Sequence, residues 1–356
     1  MLPSLVNINQ NSERCSLFWY VLLIVALFLT ACDSEQSAPQ QVTFSGPMMG
    51  TEYRVTIIKQ PPFEDDRQQN DQIEKAILSA MNSVNQSMSN YIDGSELSRF
   101  NRLPANQWQQ ISPDFSRVIS EAIDISSLSR GAFDVTLAKA IDAWGFGPNG
   151  EITQRPSAGD LALLRATVGV DKLEYKDHSL MKTVDGVEVS LSAIAKGYAV
   201  DKVALALEEL GIENYLVNIG GELRASGKSA DNQSWRVGIE KPHILGGIQE
   251  IAKLNNVAIA TSGDYRNYLV VDGQQFSHTI DSSTLMPVFH KLALVSVISP
   301  RTSTADALAT AMMAMDEKRA WQFAVDNDLA AYLIVRGDIE GEYIVQKTKK
   351  FEAYLQ

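Results

Sequence analysis

Four short segments combine residue types that handle phosphate, metal ions or protons. In Ser303-Thr304-Ala305-Asp306-Ala307-Leu308-Ala309-Thr310 a helix would bring Asp306 and Thr310 together, because residues four apart share a face. Asp306 would fall in the first turn, where a carboxylate is favoured. One carboxylate with one hydroxyl suits Mg²⁺, a hard ion that keeps waters and takes further ligands from substrate phosphate. The same residues also describe a plain capping turn with an exposed carboxylate. In Phe276-Ser277-His278-Thr279-Ile280-Asp281 an extended chain puts His278 on one face with Phe276 and Ile280, and Asp281 at the strand's end. A histidine there is either a general base beside a carboxylate or a satisfied core residue. In Leu191-Ser192-Ala193-Ile194-Ala195-Lys196-Gly197-Tyr198-Ala199-Val200-Asp201, small residues sit where a loop enters a helix. Free N–H groups at a helix start favour phosphate, and Lys196 adds positive charge. Small residues also serve close helix packing. Asn218-Ile219-Gly220-Gly221-Glu222 is a strand running into paired glycines, either a tight turn or a ligand-facing loop.

Other patterns point away from common chemistries. Gly145, Gly147 and Gly150 spell G-x-G-x-x-G, but the preceding TLAKAIDAW reads as helix rather than strand, and Pro148 interrupts the run. No Walker P-loop, H-E-x-x-H or G-x-S-x-G occurs, and the four histidines have no metal-ligand spacing, which argues against a zinc enzyme. Acidic residues outnumber basic ones 43 to 31, giving net charge -12, which disfavours a nucleic-acid partner. The 356 residues are 45% hydrophobic and 21% charged, an ordinary globular composition. The two cysteines, Cys15 and Cys32, allow no disulfide framework or cysteine zinc site further along.

The elements that must position these residues follow from periodicity and capping. Val42 to Ile58 alternates and predicts strands broken at Gly46-Pro47 and near Gly50. After a polar loop from Pro61 to Asp71, Asp71 can cap a helix with Ile73, Ile77, Met81, Val84 and Met88 on one face. Ser112-Pro113 starts a second helix that ends at Gly131, and a short one follows over about Val135 to Trp144. Pro148 to Gly159 reads as a turn-rich linker, and a helix over about Ile194 to Leu210 ends at Gly211. Strands are predicted at Tyr215–Ile219, Trp235–Glu240, Val257–Ala260, Tyr268–Val271, Phe276–Ile280 and Leu292–Ile298, with a hairpin turn at Asp272-Gly273. A helix over Thr304 to Met315, helical character over Trp321 to Val325 and a closing hairpin, Ala331–Val335 with Tyr343–Val345, complete the chain. The fold class is α+β, with mixed or antiparallel sheets packed with helices, as one body or as two lobes meeting near residues 148–190.

The N-terminus reads as an address. Leu17 to Leu29 is an unbroken apolar run of signal-peptide length, flanked by Arg14. Leu29-Thr30-Ala31-Cys32 resembles a bacterial lipobox, which implies cleavage before Cys32 and lipidation of its sulfur. The alternative is a short transmembrane anchor with an incidental cysteine. Residues 1–31 are then a signal peptide, 32–43 a lipidated cysteine and tether, and 44–350 the folded domain. Asp33 resembles an inner-membrane retention signal, so the expected location is the periplasmic side of a bacterial inner membrane.

Taken in order with Met49-Gly50-Thr51, Ser89-Asn90-Tyr91, Gly131-Ala132-Phe133-Asp134, Trp144-Gly145-Phe146-Gly147-Pro148 and Thr261-Ser262-Gly263-Asp264-Tyr265-Arg266-Asn267-Tyr268, the four segments resemble the ApbE family of FAD:protein FMN transferases. The resemblance runs from about Phe44 to past Val345. It implies an enzyme that takes FAD as substrate and Mg²⁺ as cofactor, moves FMN onto a Thr or Ser hydroxyl of a flavoprotein, and releases AMP. Implied recipients are membrane subunits of sodium-pumping NADH:quinone reductase and Rnf-type complexes. By motif, Met49, Tyr91, Ala132, Phe133, Asp134, the Ser190 position, Lys196 and Ile259 contact FAD. Asp306, Thr310 and the Ala193 carbonyl hold the metal, and His278, with Asp281 beside it, serves the acceptor hydroxyl. Two departures stand out. Ser190 replaces an aspartate that contacts FAD in the family. After Asp281 the family's Pro-x-Thr-Gly-x-Pro reads Ser282-Ser283-Thr284-Leu285-Met286-Pro287, so the loop beside His278 is expected to differ. The same residues would also serve FAD hydrolysis to FMN and AMP, or a flavin-binding lipoprotein without turnover.

Overall fold

The computed structural model describes residues 39–59, 66–242, 246–265, 268–271, 273–339 and 341–355. The predicted signal peptide, Cys32, Asp33 and the tether up to residue 38 lie outside them, as do Asp272 of the predicted turn and Arg266 and Asn267 of the quoted motif. The chain forms β1 (Gln40–Met48), β2 (Thr51–Lys59), α1 (Asp66–Met88), α2 (Glu96–Arg102), β3 (Gln109–Gln110), α3 (Pro113–Leu128), α4 (Ala138–Ala143) and α5 (Ala158–Arg165). Then come β4 (Leu173–Lys176), β5 (Ser179–Lys182), α6 (Ala195–Glu209), β6 (Tyr215–Ile219), β7 (Glu222–Ser226), β8 (Trp235–Glu240), β9 (Ile248–Leu254) and β10 (Val257–Gly263). The last elements are β11 (Tyr268–Val271), β12 (Gln274–Ser277), β13 (Leu292–Ser299), α7 (Thr302–Met313), α8 (Glu317–Asp326), β14 (Ala330–Arg336), β15 (Tyr343–Lys347) and α9 (Lys349–Glu352).

Eight strands form one antiparallel sheet in the order β1-β2-β6-β7-β10-β13-β14-β15. Its two faces are both covered. On β14, Ala331, Leu333 and Val335 join a core shared with the helices, whereas Ala330, Tyr332 and Ile334 join a second core with the β8–β9 hairpin. Burial on both sides is why this strand reads as an unbroken apolar run. On β13, Leu292 faces the helical core and Leu294 the other, although they are two apart. A register shift between them reverses the alternation.

Several predicted boundaries move. β1 runs through Gly46-Pro47 without a break, because it is the edge strand of the sheet, where a missing N–H is tolerated. It also takes in residues 40–43, which the sequence assigns to the tether. α1 buries Ile73, Ile77, Met81, Val84 and Met88 as expected, but starts at Asp66, ahead of the Asp71 cap. Nothing in Arg67-Gln68-Gln69-Asn70 breaks a helix. Ser112 caps α3 through its side chain, with Pro113 in the first turn, and the Gly131 N–H closes the far end on the Ser126 carbonyl at 2.8 Å. Gly145 and Gly147 follow helix α4, where a Cβ on Gly147 would lie 2.5 Å from the Asp142 carboxylate, so they serve packing.

A third, smaller core joins α4, the β11–β12 hairpin and the loop at residues 280–287 around Trp144, Phe276 and Leu285. The expected seam near residues 148–190 does not divide the protein, since Gln40–Lys59 and Glu64–Gln356 fall in one compact unit. Among the described residues no helix is long and apolar enough to cross a membrane.

Candidate active site

One cavity of about 1190 Å³ gathers Met49, Tyr91, Ala132, Phe133, Asp134, Ser190, Ala193, Lys196, Ile259, His278, Asp306 and Thr310. These twelve residues come from seven separate stretches of chain, joined by the fold rather than by sequence. Asp281 is not among the lining residues.

Turns deliver the first group. Met49 sits in the two-residue β1–β2 turn with φ 54°, followed by Gly50 at 72°, the left-handed pair that tight hairpins need. Tyr91 follows α1 and is 66% exposed, its hydroxyl donating to the Phe146 carbonyl at 3.3 Å. Asp134 accepts the Thr136 N–H at 2.8 Å and its hydroxyl at 2.6 Å. Burial pushes the Asp134 carboxyl above its usual range, against the pull of those two bonds and of Lys172. The Ser190 hydroxyl donates to that of Ser192 at 3.2 Å, and its N–H reaches the Val135 carbonyl at 2.7 Å.

The α6–α7 wall is charged and buried. Lys196 donates to Glu222 Oε1 at 2.6 Å. Glu222 is brought there by the β6–β7 turn through Gly220 and Gly221, with φ 68° and 109°. It is 3% exposed, and its Oε2 has no hydrogen-bond partner among the described residues. Burial pulls the Lys196 ammonium down, but Glu222 and Asp306 outweigh it and hold it above its usual value. Asp306, 4% exposed, accepts the Gly197 N–H through Oδ2 at 3.0 Å. Its Oδ1 receives no donor from the described residues. Burial pushes this carboxyl up to about 8; Lys196 and the Gly197 amide pull it down, and Glu222 and Asp201 push it further up. Thr310, one turn on, lies 3.3 Å from the Ser262 hydroxyl. The exposed capping carboxylate weighed from sequence is therefore not found. Nor does Asp306 fall in the first turn, because α7 starts at Thr302, two residues earlier than predicted.

The opposite wall carries His278, which does not lie on a strand. β12 ends at Ser277, whose hydroxyl accepts the Thr279 N–H at 3.2 Å and bends the chain out of the ladder. His278 meets the edge of Phe146 with ring centroids 6.4 Å apart. Asp281 instead closes the following loop: its Oδ1 accepts the Ser283 N–H at 2.7 Å and its carbonyl the Leu285 N–H at 2.7 Å. Leu285 stands where the family pattern has glycine, yet takes φ 58°. A leucine in that region costs about 1–2 kcal/mol. Complete burial of the side chain and a 2.8 Å bond from Trp144 Nε1 to the Leu285 carbonyl offset it. The loop thus keeps a left-handed turn without the glycine.

The lining residues that sequence reasoning left without a role include Glu222 and Tyr265. The paired glycines before Glu222 were the signal for the first. Gly263 is the signal for the second, since a Cβ there would lie 2.6 Å from the Tyr265 ring.

The chain is similar to known proteins over most of its length. Residues 49–333 match the model of the ApbE family. A Haemophilus influenzae protein named FAD:protein FMN transferase is 39% identical over 325 residues, 89% of this chain and 92% of its own. A Vibrio cholerae protein of the same name is 39% identical over 321 residues, 90% of this chain and 94% of its own. The structure of the flavin transferase ApbE from Vibrio cholerae superposes with a TM-score of 0.81 at 38% identity, covering 89% of this chain and all (100%) of that one. The apo flavinyl transferase ApbE of Pseudomonas stutzeri gives 0.81 at 33% identity, covering 89% and 98%. With its whole cavity inside the matched segment, the chain belongs to the ApbE family.

Proposed function

We propose that this protein is an FAD:protein FMN transferase that uses Mg²⁺, attaches FMN to a threonine or serine hydroxyl of a recipient flavoprotein and releases AMP. The observation that carries the reading is the meeting of Lys196, Asp306, Thr310 and His278 at one cavity, in a family whose curated relatives bear that name.

The donor set suits a hard cation. Among the described residues no group of three or more His, Cys, Asp or Glu gathers for a metal. Asp306 Oδ1, the Thr310 hydroxyl and the Ala193 carbonyl are oxygen donors with a single charge, the kind of partial set Mg²⁺ completes with waters and phosphate oxygens. When bound, the ion supplies charge neutralisation at the pyrophosphate. Lys196 adds a positive charge on the same side, kept protonated by Glu222. Met49, Tyr91, Ala132, Phe133, Asp134, Ser190 and Ile259 hold FAD. His278 takes the proton from the acceptor hydroxyl, whose oxygen bonds to the FMN phosphorus while the bond to the AMP oxygen breaks. Asp281 shapes the loop that presents His278. Recipients are flavin-bearing subunits of sodium-pumping NADH:quinone reductase or Rnf-type complexes. The lipobox ending at Cys32 supports anchorage by lipid on the periplasmic side of the inner membrane, where such domains are reachable.

The test incubates the full-length protein, purified in detergent, with FAD, Mg²⁺ and a recipient flavin domain, followed by intact mass of the recipient. A gain of FMN minus water, lost with EDTA, is expected. AMP release with no mass gain on any of these recipients would replace transfer by hydrolysis. Neither product with FAD still bound would leave a flavin-binding protein. For the anchor, labelled palmitate should enter the wild type and not Cys32→Ala; equal labelling would remove the lipobox reading.

A further inference from the structure

Helices α6 and α7 share an arrangement that local sequence does not provide. Each lacks a cap of its own. The residue before α6 is Ile194 and the residue before α7 is Arg301, and neither side chain caps its helix. An uncapped start leaves N–H groups without partners, at a cost of about 1 kcal/mol where a cap is lost. Here each helix supplies the other's cap. Asp201 of α6 accepts the Thr302 N–H at 2.9 Å and the Thr302 hydroxyl at 2.8 Å through Oδ1, and the Ser303 N–H at 3.0 Å through Oδ2. In return, Asp306 of α7 accepts the Gly197 N–H of α6 at 3.0 Å through Oδ2. Arg224 steadies Asp201 at 3.0 Å, and Glu121 of α3 takes the Ser303 hydroxyl at 3.0 Å.

The two contacts are geometrically linked. At Gly197 the helices come so close that a Cβ would lie 2.5 Å from the Thr302 carbonyl oxygen and 2.9 Å from the Asp306 Cβ. Asp201 therefore fixes where α7 starts and how it is rotated, and the Gly197 amide occupies one oxygen of Asp306. The other oxygen, Oδ1, is left for a ligand, with Thr310 one turn further on the same face.

We infer that Asp201 is a positioning residue for the cation: its reciprocal capping with Asp306 sets the direction in which Asp306 and Thr310 present their oxygens. The inference rests on the Mg²⁺ reading above. It assigns Asp201 no contact with substrate or metal. Residues that orient metal ligands in this way typically change metal affinity by about 10–100-fold when removed.

The experiment is a Mn²⁺ titration of full-length protein followed by electron paramagnetic resonance, with Mg²⁺ as competitor, beside FAD affinity in EDTA from flavin fluorescence. Asp201→Asn keeps one acceptor oxygen and loses the other. It should bind Mn²⁺ about tenfold or more weaker, with FAD affinity in EDTA unchanged. Phe351→Leu, in the core on the other face of the sheet, is a destabilised control that should bind Mn²⁺ as the wild type does. If Asp201→Asn does not fold, Thr302→Val, which removes only the hydroxyl contact, should still weaken Mn²⁺ severalfold. Wild-type Mn²⁺ affinity in the folded Asp201 variant, or an equal loss in the Phe351 control, would overturn the positioning role while leaving the metal reading intact. A wild type that binds no Mn²⁺ would overturn both.

Discussion

The cavity has one wall of closely placed ionisable groups and one of turns and exposed rings. On the α6–α7 side, Lys196, Glu222 and Asp306 interact with one another beneath a helix pair whose ends cap each other. On the His278 side, the supporting core is small, and the loop that follows carries Met286 and Phe289 to the surface, the latter 90% exposed. A wall of the first kind handles a ligand of fixed shape and charge, since every group is placed before the ligand arrives. A wall of the second kind, with Tyr91 66% exposed, leaves room for something large to approach. The division matches a reaction with one small, constant substrate and one protein substrate.

Breaking the buried wall should have the largest effect. Asp306→Ala should abolish both FMN transfer and AMP release while circular dichroism reports a folded protein; full activity in that variant would remove Asp306 from the metal site. His278→Ala should split the two walls. Transfer should fall by about 10²–10⁴-fold, the usual worth of a general base, with FAD affinity unchanged. Unaltered transfer would place the base elsewhere. Glu222→Ala leaves Lys196 half-buried without its partner and should cost about 3 kcal/mol in urea unfolding, with weaker FAD binding. A stability change near zero would mean that the orphaned Oε2 already cancels what the pair contributes. Leu285→Ala, which hollows the small core, should cost about 2–4 kcal/mol and lower transfer with little change in Mn²⁺ affinity.

The last expected effect is in pH. Native Asp306 keeps its proton up to about 8, whereas the unfolded chain releases it near its ordinary value of 3.8. The native form therefore binds more protons across that window, and metal-free stability falls as pH rises through it, by at most about 1.4 kcal/mol per unit. Asp306→Asn should flatten this component. Parallel stability curves for the two proteins between pH 5 and 8 would contradict the burial argument.

The contrast between the walls also explains what the sequence could show. Asp306 and Thr310 were legible because a four-residue spacing on a helix is a local fact. The core face of α1 and the Ser112-Pro113 start of α3 were legible for the same reason. The start of α7 was not, because its cap is Asp201, 101 positions away. His278 was misplaced on a strand because Phe276 and Ile280 alternate correctly, while a single serine side chain bends the backbone between them. That Asp281 Oδ1 accepts the Ser283 N–H of the next turn is a loop contact that the adjacency to His278 gave no sign of. Helix α5, which begins at the end of the 148–159 linker, goes unpredicted because it buries nothing, although Ser157 and Asp160 form a capping box at its start.

The reciprocal capping of α6 and α7 has a consequence for how the chain folds. Its bonds join residues 101 and 109 positions apart, so neither helix start is completed by anything its own neighbourhood supplies. Contacts of such long range close late, after the entropy of the intervening loop has been lost. During synthesis, Gly197 must wait for Asp306 to emerge before its amide finds a partner. The binding wall is thus among the last parts of the molecule to form, and a nascent chain carries no finished cation site until residues near 306 have left the ribosome.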